Sequence, residues 1–100
     1  MDIQVGNIMV VDWGATMTLP TFYKVKKRTA KRAVLTEIKS KNVDGDGMIG
    51  HSIPFDEPVE RSCFGDLNIV IRDDGNGWCA KHSKIARPWD GTPERYDHWD

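Results

Sequence analysis

The segment FYKVKKRTAKRAVLTEIKSK, residues Phe22 to Lys41, carries the clearest structural pattern in this chain. It contains eight of the 14 basic residues of the chain and a single acidic residue, Glu37. Period-two alternation places Tyr23 and Val25 on one side of a strand and Lys24 on the other. The segment therefore predicts a β-hairpin with a strongly basic face.

The first arm of this hairpin is expected from Phe22 to Arg28, and the second from Arg32 to Lys39, around a tight turn at Thr29 to Lys31. We expect the side of the first arm that carries Phe22, Lys24, Lys26 and Arg28 to be mostly solvated. A helix stays open as an alternative, because Ala33, Glu37 and Lys41 follow one another at four-residue spacing.

Other strands are predicted where β-branched and aromatic residues cluster between turn signals. They are expected at Ile8–Val11, Val59–Phe64, Leu67–Arg72 and Gly77–Ala80. The sequence Asp-Asp-Gly-Asn at 73–76 is a strong hairpin signal. The chain thus has about six short strands.

Irregular structure is expected in four places. Asn42 to Gly50 is rich in glycine and aspartate and predicts a loop. Pro54 and Pro58 bracket a second irregular stretch. Lys81–Ala86 could form one helical turn before Pro88, and an acidic, aromatic tail follows from Trp89.

A length of 100 residues, with 39% hydrophobic and 29% charged residues, indicates one self-sufficient domain. We predict a small all-β fold, namely a curved antiparallel sheet or a partly open barrel resembling the Src-homology-3 kind. The residues expected to supply much of the core are Val10, Tyr23, Val25, Val34, Ile38, Ile69, Ile71 and Trp78.

Charge is separated along the chain although the formal net charge is only −1. Residues 24–41 are basic, whereas residues 42–60 contain five acids and no base. One positive and one negative surface are therefore expected. Without an apolar run of about 20 residues or a signal-peptide pattern, we expect the protein in the cytoplasm.

The basic hairpin is a candidate binding site with three interpretations. It could hold a phosphate backbone, with Phe22 or Tyr23 stacking on a base. It could instead protect a sheet edge or keep the surface soluble. It could also contact a protein, together with aromatic residues of the tail. The candidate partner-binding residues are Lys24, Lys26, Arg28, Lys31, Arg32, Trp89, Tyr96 and Trp99.

A zinc site is a further possibility, because Cys79 and His82 have a spacing that lets two ligands reach one tetrahedral ion. Cys63 would add a third ligand, and His51 or His98 a fourth. A regular meander would hold the two cysteines about 9.6 Å apart, too far for a disulfide and awkward for zinc. Buried thiols without metal are the alternative.

The segment from Asn42 to Ile53 partly matches a calcium-binding loop, with Asp44, Asp46 and Gly47 at suitable positions. The twelfth position, which should be a bidentate glutamate, is Ile53. A solvated acidic turn is therefore the better interpretation. Catalysis finds equally little support: no nucleophile stands beside a histidine in a known motif, and we expect a protein that is not an enzyme.

Several segments of the chain match, in order and spacing, a family of small proteins encoded by phages, prophages and plasmids. The matching segments are Gly6–Val10, Trp13–Gly14, Phe22–Val25, Thr29–Leu35 and Trp89–Pro93. The chain resembles this family over most of its length, and the resemblance implies a genetic setting rather than a mechanism. It departs from the family at Ala15–Thr18, where a polar loop rich in Tyr, Asp, Gln and Asn is usual.

Small phage proteins without catalytic motifs commonly act by occupying a host machine, including RNA-guided nucleases of the CRISPR type. By this analogy the chain is expected to be a non-enzymatic inhibitor of a host defence nuclease that acts by stoichiometric protein contact. The competing hypothesis is an accessory protein that binds nucleic acid through the hairpin at Phe22 to Lys41.

Overall fold

The computed structural model describes residues 3–13, 20–45, 49–59 and 65–97, and this part of the chain forms eight β-strands. They are β1 (Ile8–Asp12), β2 (Pro20–Arg28), β3 (Arg32–Gly45), β4 (Ile49–Pro58), β5 (Leu67–Ile71), β6 (Gly77–Cys79), β7 (Lys84–Pro88) and β8 (Glu94–Asp97). Within these ranges there is no helix that is long and apolar enough to cross a membrane. The helical alternative for the hairpin is wrong, because β2 and β3 pair as antiparallel strands.

Six of these strands form a closed antiparallel barrel. Their order is β2-β1-β7-β6-β5-β3, and the additional pairing of β2 with β3 closes the ring. Neighbouring strands are joined by hydrogen bonds all around, which removes exposed edges from this part of the fold. The prediction of a small all-β domain resembling a Src-homology-3 barrel is confirmed.

The other two strands extend the sheet beyond the barrel. The 14-residue strand β3 pairs with β2 and β5 near its start and with β4 from Ile38 onward. Strand β8 then adds to the first residues of β4. We call the sheet made of Ile38–Gly45, β4 and β8 the wing. Barrel and wing together measure 42 × 27 × 26 Å.

The main core fills the barrel, and all six barrel strands contribute to it. Aromatic and aliphatic residues from β1, β2, β3 and β5 meet a cysteine from β6 and an alanine from β7. Its buried members are Ile3, Met9, Val11, Tyr23, Val25, Ala33, Leu35, Leu67, Ile69, Cys79 and Ala86. Burying each large side chain contributes about 1.5–3 kcal/mol relative to leaving it exposed.

A second, smaller core lies on the opposite face of β1 and β2. Val10 and Phe22 are direct partners in the β1–β2 register and pack with Ile38. Trp89 covers this cluster, with its ring edge-on to Phe22 at a centroid distance of 6.3 Å. The expectation that the Phe22 side of β2 is mostly solvated is therefore wrong at this end of the strand, where Phe22 is buried.

The acidic segment predicted as a loop is mostly strand. β3 continues to Gly45 and β4 starts at Ile49, with residues 46–48 outside the described ranges. A register shift between Asn42 and Asp44 marks a bulge, which accommodates the polar and glycine-rich sequence within a ladder. The ladder with β3 outweighs the weak strand propensity of these residues.

Pro54 and Pro58 also lie in a strand rather than in an irregular stretch. They pair with Ser40 and Ile38 of β3, while β8 reaches β4 only from Ile49 to Ser52. The outer edge of β4 is therefore unpaired at both prolines within the described structure. A missing N–H costs nothing on such an edge.

Three other expectations need correction or lie outside the described part. Residues 84–88 form β7 instead of ending a helical turn, after a tight turn in which Ser83 has a φ of 53°. Val59 follows β4 and donates its backbone N–H to the carbonyl of Glu37, whereas the remainder of the strand predicted at 59–64 lies outside the described residues. Val34, Ile71 and Trp78, expected in the core, are only partly buried.

Candidate functional site

Several lysines of the hairpin face acidic residues of the same chain. Lys24 Nζ lies 3.0 Å from Asp56, at the far end of β4. Lys26 Nζ lies 3.1 Å from Asp66, just before β5. Both pairs are exposed, so each adds at most about 1 kcal/mol to stability. Their larger effect is that each carboxylate neutralises the positive charge of a lysine that would otherwise attract a phosphate backbone.

Arg28 has a structural partner as well. A bulge between Val25 and Lys27 shifts the alternation of β2, so that Arg28 pairs with Ala33, whose side chain is in the barrel core. The guanidinium Nε donates a 2.7 Å hydrogen bond to the carbonyl of Ile3 in partly buried surroundings. Arg28 therefore fixes the N-terminal segment against the barrel.

The tip of the hairpin carries three basic residues whose surroundings differ from those of Lys24, Lys26 and Arg28. Lys27, Lys31 and Arg32 are exposed and make no side-chain ion pair within the described part of the chain. The backbone around them is ordered by hydrogen bonds from Thr29 N to Arg32 O and from Ile71 N to Lys31 O, at 2.9 and 2.8 Å. All three remain available to a partner, and two of them, Lys31 and Arg32, are among the predicted partner-binding residues.

The aromatic residues proposed for base stacking are enclosed by the fold. Phe22 and Tyr23 are both 0% exposed. Neither ring can reach a base without unfolding β2, so the proposed stacking on these two rings is wrong. The signal was ambiguous in the sequence because both faces of β2 are apolar at this end.

Trp89 begins a turn between β7 and β8 that is held by hydrogen bonds among its own residues. Its indole Nε1 donates to the carbonyl of Thr92 at 2.7 Å, and the Asp90 carboxylate accepts from Thr92 N and Oγ1 at 2.9 and 2.6 Å. These hydrogen bonds from Thr92 lower the pKa of Asp90 below its ordinary value of 3.8. Gly91 supplies the positive φ, 90°, that the turn requires.

The remaining tail residues are distributed differently from the expectation. Tyr96 was expected to be an exposed aromatic, but on β8 it is only 5% exposed. Trp99 lies outside the described residues. Nearby, Glu94 is bonded to the guanidinium of Arg87, and this hydrogen bond raises the pKa of Arg87 above its usual range. The tail is therefore attached to the barrel through the ion pair of Glu94 with Arg87, and its tyrosine is buried on β8.

The proposed zinc ligands do not converge within the described residues, where no group of three His, Cys, Asp or Glu side chains could hold a metal ion. Cys79 is a free thiol in the barrel core and 1% exposed. His82 packs edge-on against Trp13 at 5.2 Å, and His51 pairs with Arg95 across β4 and β8. Cys63 lies outside the described ranges, so zinc stays a prediction that metal analysis of the purified protein would test.

An apolar row that the sequence did not reveal crosses three barrel strands on the outside. Val70 pairs with Trp78 across β5 and β6, and Trp78 pairs with Ile85 across β6 and β7. We call Val70, Trp78 and Ile85 the Trp78 row. Sequence reasoning placed Trp78 in the core because it is apolar, and the cross-strand register that aligns the three residues is not readable from a single chain.

Fold and site together define a small closed β-barrel with a strand extension and two candidate contact regions, the hairpin tip and the Trp78 row. No family model, curated protein or solved structure matches this chain. The function must therefore be argued from the molecule itself.

Proposed function

We propose that this chain is a phage-derived, non-enzymatic binding protein that inhibits a host defence nuclease, in the manner of an anti-CRISPR protein. Inhibition would be by stoichiometric protein contact. The observation that carries the protein-binding part is the pairing of three hairpin lysines, Lys24, Lys26 and Lys39, with carboxylates of the same chain.

This pairing weakens the case for a phosphate-binding surface. A nucleic acid gains affinity by releasing counterions as cationic groups replace them. Lys24, Lys26 and Lys39 already have carboxylates within 3.3 Å, so a phosphate would have to displace Asp56, Asp66 or Glu57 and would be repelled by it. Alternating charges of both signs suit contact with a protein surface of complementary pattern.

The inhibitory part rests on the resemblance to proteins of phages, prophages and plasmids and on analogy. A closed barrel presents a rigid surface at little cost in conformational entropy, which favours tight docking. Such a body can block a channel or a docking site on a larger machine without any chemistry of its own.

Affinity capture tests this proposal. Tagged protein would be incubated with lysate of a bacterial host, with and without nuclease treatment, and the retained proteins identified by mass spectrometry. The expected result is a host nuclease that stays bound to the tagged protein after nucleic-acid digestion and at high salt. Recovery of nucleic acid alone, lost on digestion, would contradict the proposal.

A second candidate function is an accessory protein that binds nucleic acid, and the exposed hairpin tip favours it. Lys27, Lys31 and Arg32 could bind successive phosphates. If so, the triple alanine variant should weaken binding equally for all sequences and flatten the salt slope by about one unit for each phosphate that is no longer neutralised. The matched control is Lys24→Ala/Lys26→Ala, which should change the slope less because these lysines are already paired. An unchanged slope in the tip variant would eliminate this candidate.

A further inference from the structure

The Trp78 row is a continuous apolar strip on the outer surface of the barrel. Direct partners on adjacent strands present their side chains on the same face of a sheet, about 5 Å apart. Residues that flank the row along the strands, such as Ile69, Cys79 and Ala86, are at most 1% exposed and belong to the barrel core. The row must therefore point away from the core.

Its members are unusually accessible for large apolar side chains. Val70 is 40% exposed and Ile85 is 47% exposed, while Trp78 between them is partly exposed. Val70 and Trp78 border a shallow depression on this surface. A tryptophan flanked by aliphatic residues is the composition of the centre of a protein interface, where a few residues supply most of the binding energy.

Two arginines lie beside the Val70 end of the row. Arg32 is the direct partner of Val70 on β3, and Arg72 borders the same depression as Val70 and Trp78. Both guanidiniums are exposed and make no ion pair within the described part of the chain. Asp73 and Asp74 follow Arg72 in the turn. The Asp74 carboxylate accepts a 3.0 Å hydrogen bond from the backbone N–H of Asn76.

We propose that the Trp78 row is the docking surface for an acidic segment of a partner protein, one that carries aliphatic or aromatic side chains between its carboxylates. The apolar side chains would cover the row, and the carboxylates would pair with Arg32 and Arg72, whose planar guanidiniums bind carboxylates bidentately. Val70 and Ile85 have neither a flat ring for stacking nor a hydrogen-bonding group for a base edge, which favours a protein occupant. This inference rests on the proposed protein-binding function and adds the surface and the chemistry of the partner.

A peptide selection tests this proposal directly. A displayed library of random 12-residue peptides would be selected on the immobilised wild-type protein, and the best peptide would be synthesised and titrated by calorimetry. The selected sequences should be enriched in Asp and Glu around Leu, Ile, Phe or Trp. Binding should weaken about tenfold or more in Ile85→Glu and in Arg72→Glu.

The matched control is Phe55→Glu, which adds the same charge at a 45% exposed apolar residue of the wing. It should change the affinity by less than about twofold, because surface residues outside an interface are near neutral. Ile85→Thr is the milder companion, since it keeps the β-branched shape and removes part of the apolar surface. Its binding should also fall while its thermal unfolding stays close to wild type.

Three results would overturn the inference. The first is selected peptides without acidic enrichment, or peptides that bind Ile85→Glu and Arg72→Glu as well as wild type. The second is self-association in sedimentation velocity that Ile85→Glu abolishes, which would make a second copy the occupant. The third is displacement of the peptide by an equal concentration of a single-stranded oligonucleotide.

The proposed function and this inference can fail separately. A host nuclease captured equally well by wild type and by Ile85→Glu would retain the proposed function and remove the docking surface. Acidic peptides that need Ile85 and Arg72, with no nuclease among captured proteins, would retain the docking surface and remove the inhibitor.

Discussion

Gly77 shows how closely a single position is fitted in the barrel. A Cβ atom added there would lie 2.3 Å from Ile69 Cδ1 and 3.2 Å from Ile69 Cβ. Both residues belong to the β5–β6 hairpin, where Gly77 opposes Ile71 in the register. The glycine at this position serves close packing and needs no left-handed backbone.

Gly77→Ala should therefore destabilise the fold by about 1–3 kcal/mol, the range for overpacking a core. The double variant Gly77→Ala/Ile69→Val should recover part of this loss, because valine lacks the Cδ1 atom that makes the closest approach. Urea denaturation of the two variants and of Ile69→Val alone would measure the coupling. Strictly additive losses would contradict the proposed packing of Gly77 against Ile69.

The stability of the fold should depend on pH through one carboxylate, that of Asp90 in the turn at Trp89–Thr92. Because Thr92 lowers the folded pKa of Asp90, the charged form contributes stability above the ordinary value of 3.8, and this is lost as pH falls through the lower folded value. The difference in melting temperature between wild type and Asp90→Ala should be constant near neutral pH and narrow below about pH 3.8. A difference independent of pH down to about 2.5 would refute the role of the charge.

At the scale of elements, the ion pair of Arg87 on β7 with Glu94 on β8 links the wing to the barrel, in addition to the strand β3 that they share. The Glu94 side chain is 11% exposed, so removal of its cation leaves a nearly buried carboxylate without compensation. Arg87→Ala should cost about 1–3 kcal/mol in the free energy of unfolding. Lys39→Ala is the control, since its pair with Glu57 is half-exposed on both sides and should contribute below about 1 kcal/mol.

Replacement of both members by apolar residues, as in Arg87→Met/Glu94→Leu, should restore most of the lost stability, because no charge is left buried. Chemical denaturation of the single and double variants would check this. A double variant as unstable as Arg87→Ala would mean that the pair is needed for more than mutual neutralisation.

Some of the strands could be predicted from the sequence, and others could not. Strand β1 and the hairpin at 73–76 follow from local chemistry, and both were found close to the predicted bounds. Strand β4 was missed because its ladder with the preceding strand β3 overrides the weak strand propensity of its residues, and β8 was missed because it forms only by pairing with the distant strand β4. The pairs of Lys24 with Asp56 and of Lys26 with Asp66 span 32 and 40 residues, and the Trp78 row depends on register, so sequence spacing could indicate neither.

At the scale of the whole molecule, opposite charges that are separated along the sequence are brought together by folding. The basic hairpin and the acidic segment that follows it pair across the sheet, as Lys24 with Asp56 and Lys39 with Glu57. The resulting surface at the sides of the barrel carries positive and negative side chains next to each other. Cations without carboxylate partners in the described part of the chain remain at the hairpin tip and beside the Trp78 row, and the row adds the apolar area that a protein interface needs.

The central claim is that inhibition of a nuclease arises from one-to-one protein contact. The most direct measurement is the activity of the captured nuclease at fixed concentration, titrated with this protein at two substrate concentrations that differ tenfold. One-to-one contact should give a linear fall in activity that ends near one equivalent, at the same equivalence point for both substrate concentrations. An end point that rises in proportion to the nucleic acid would contradict it, because the protein would then be sequestering the substrate.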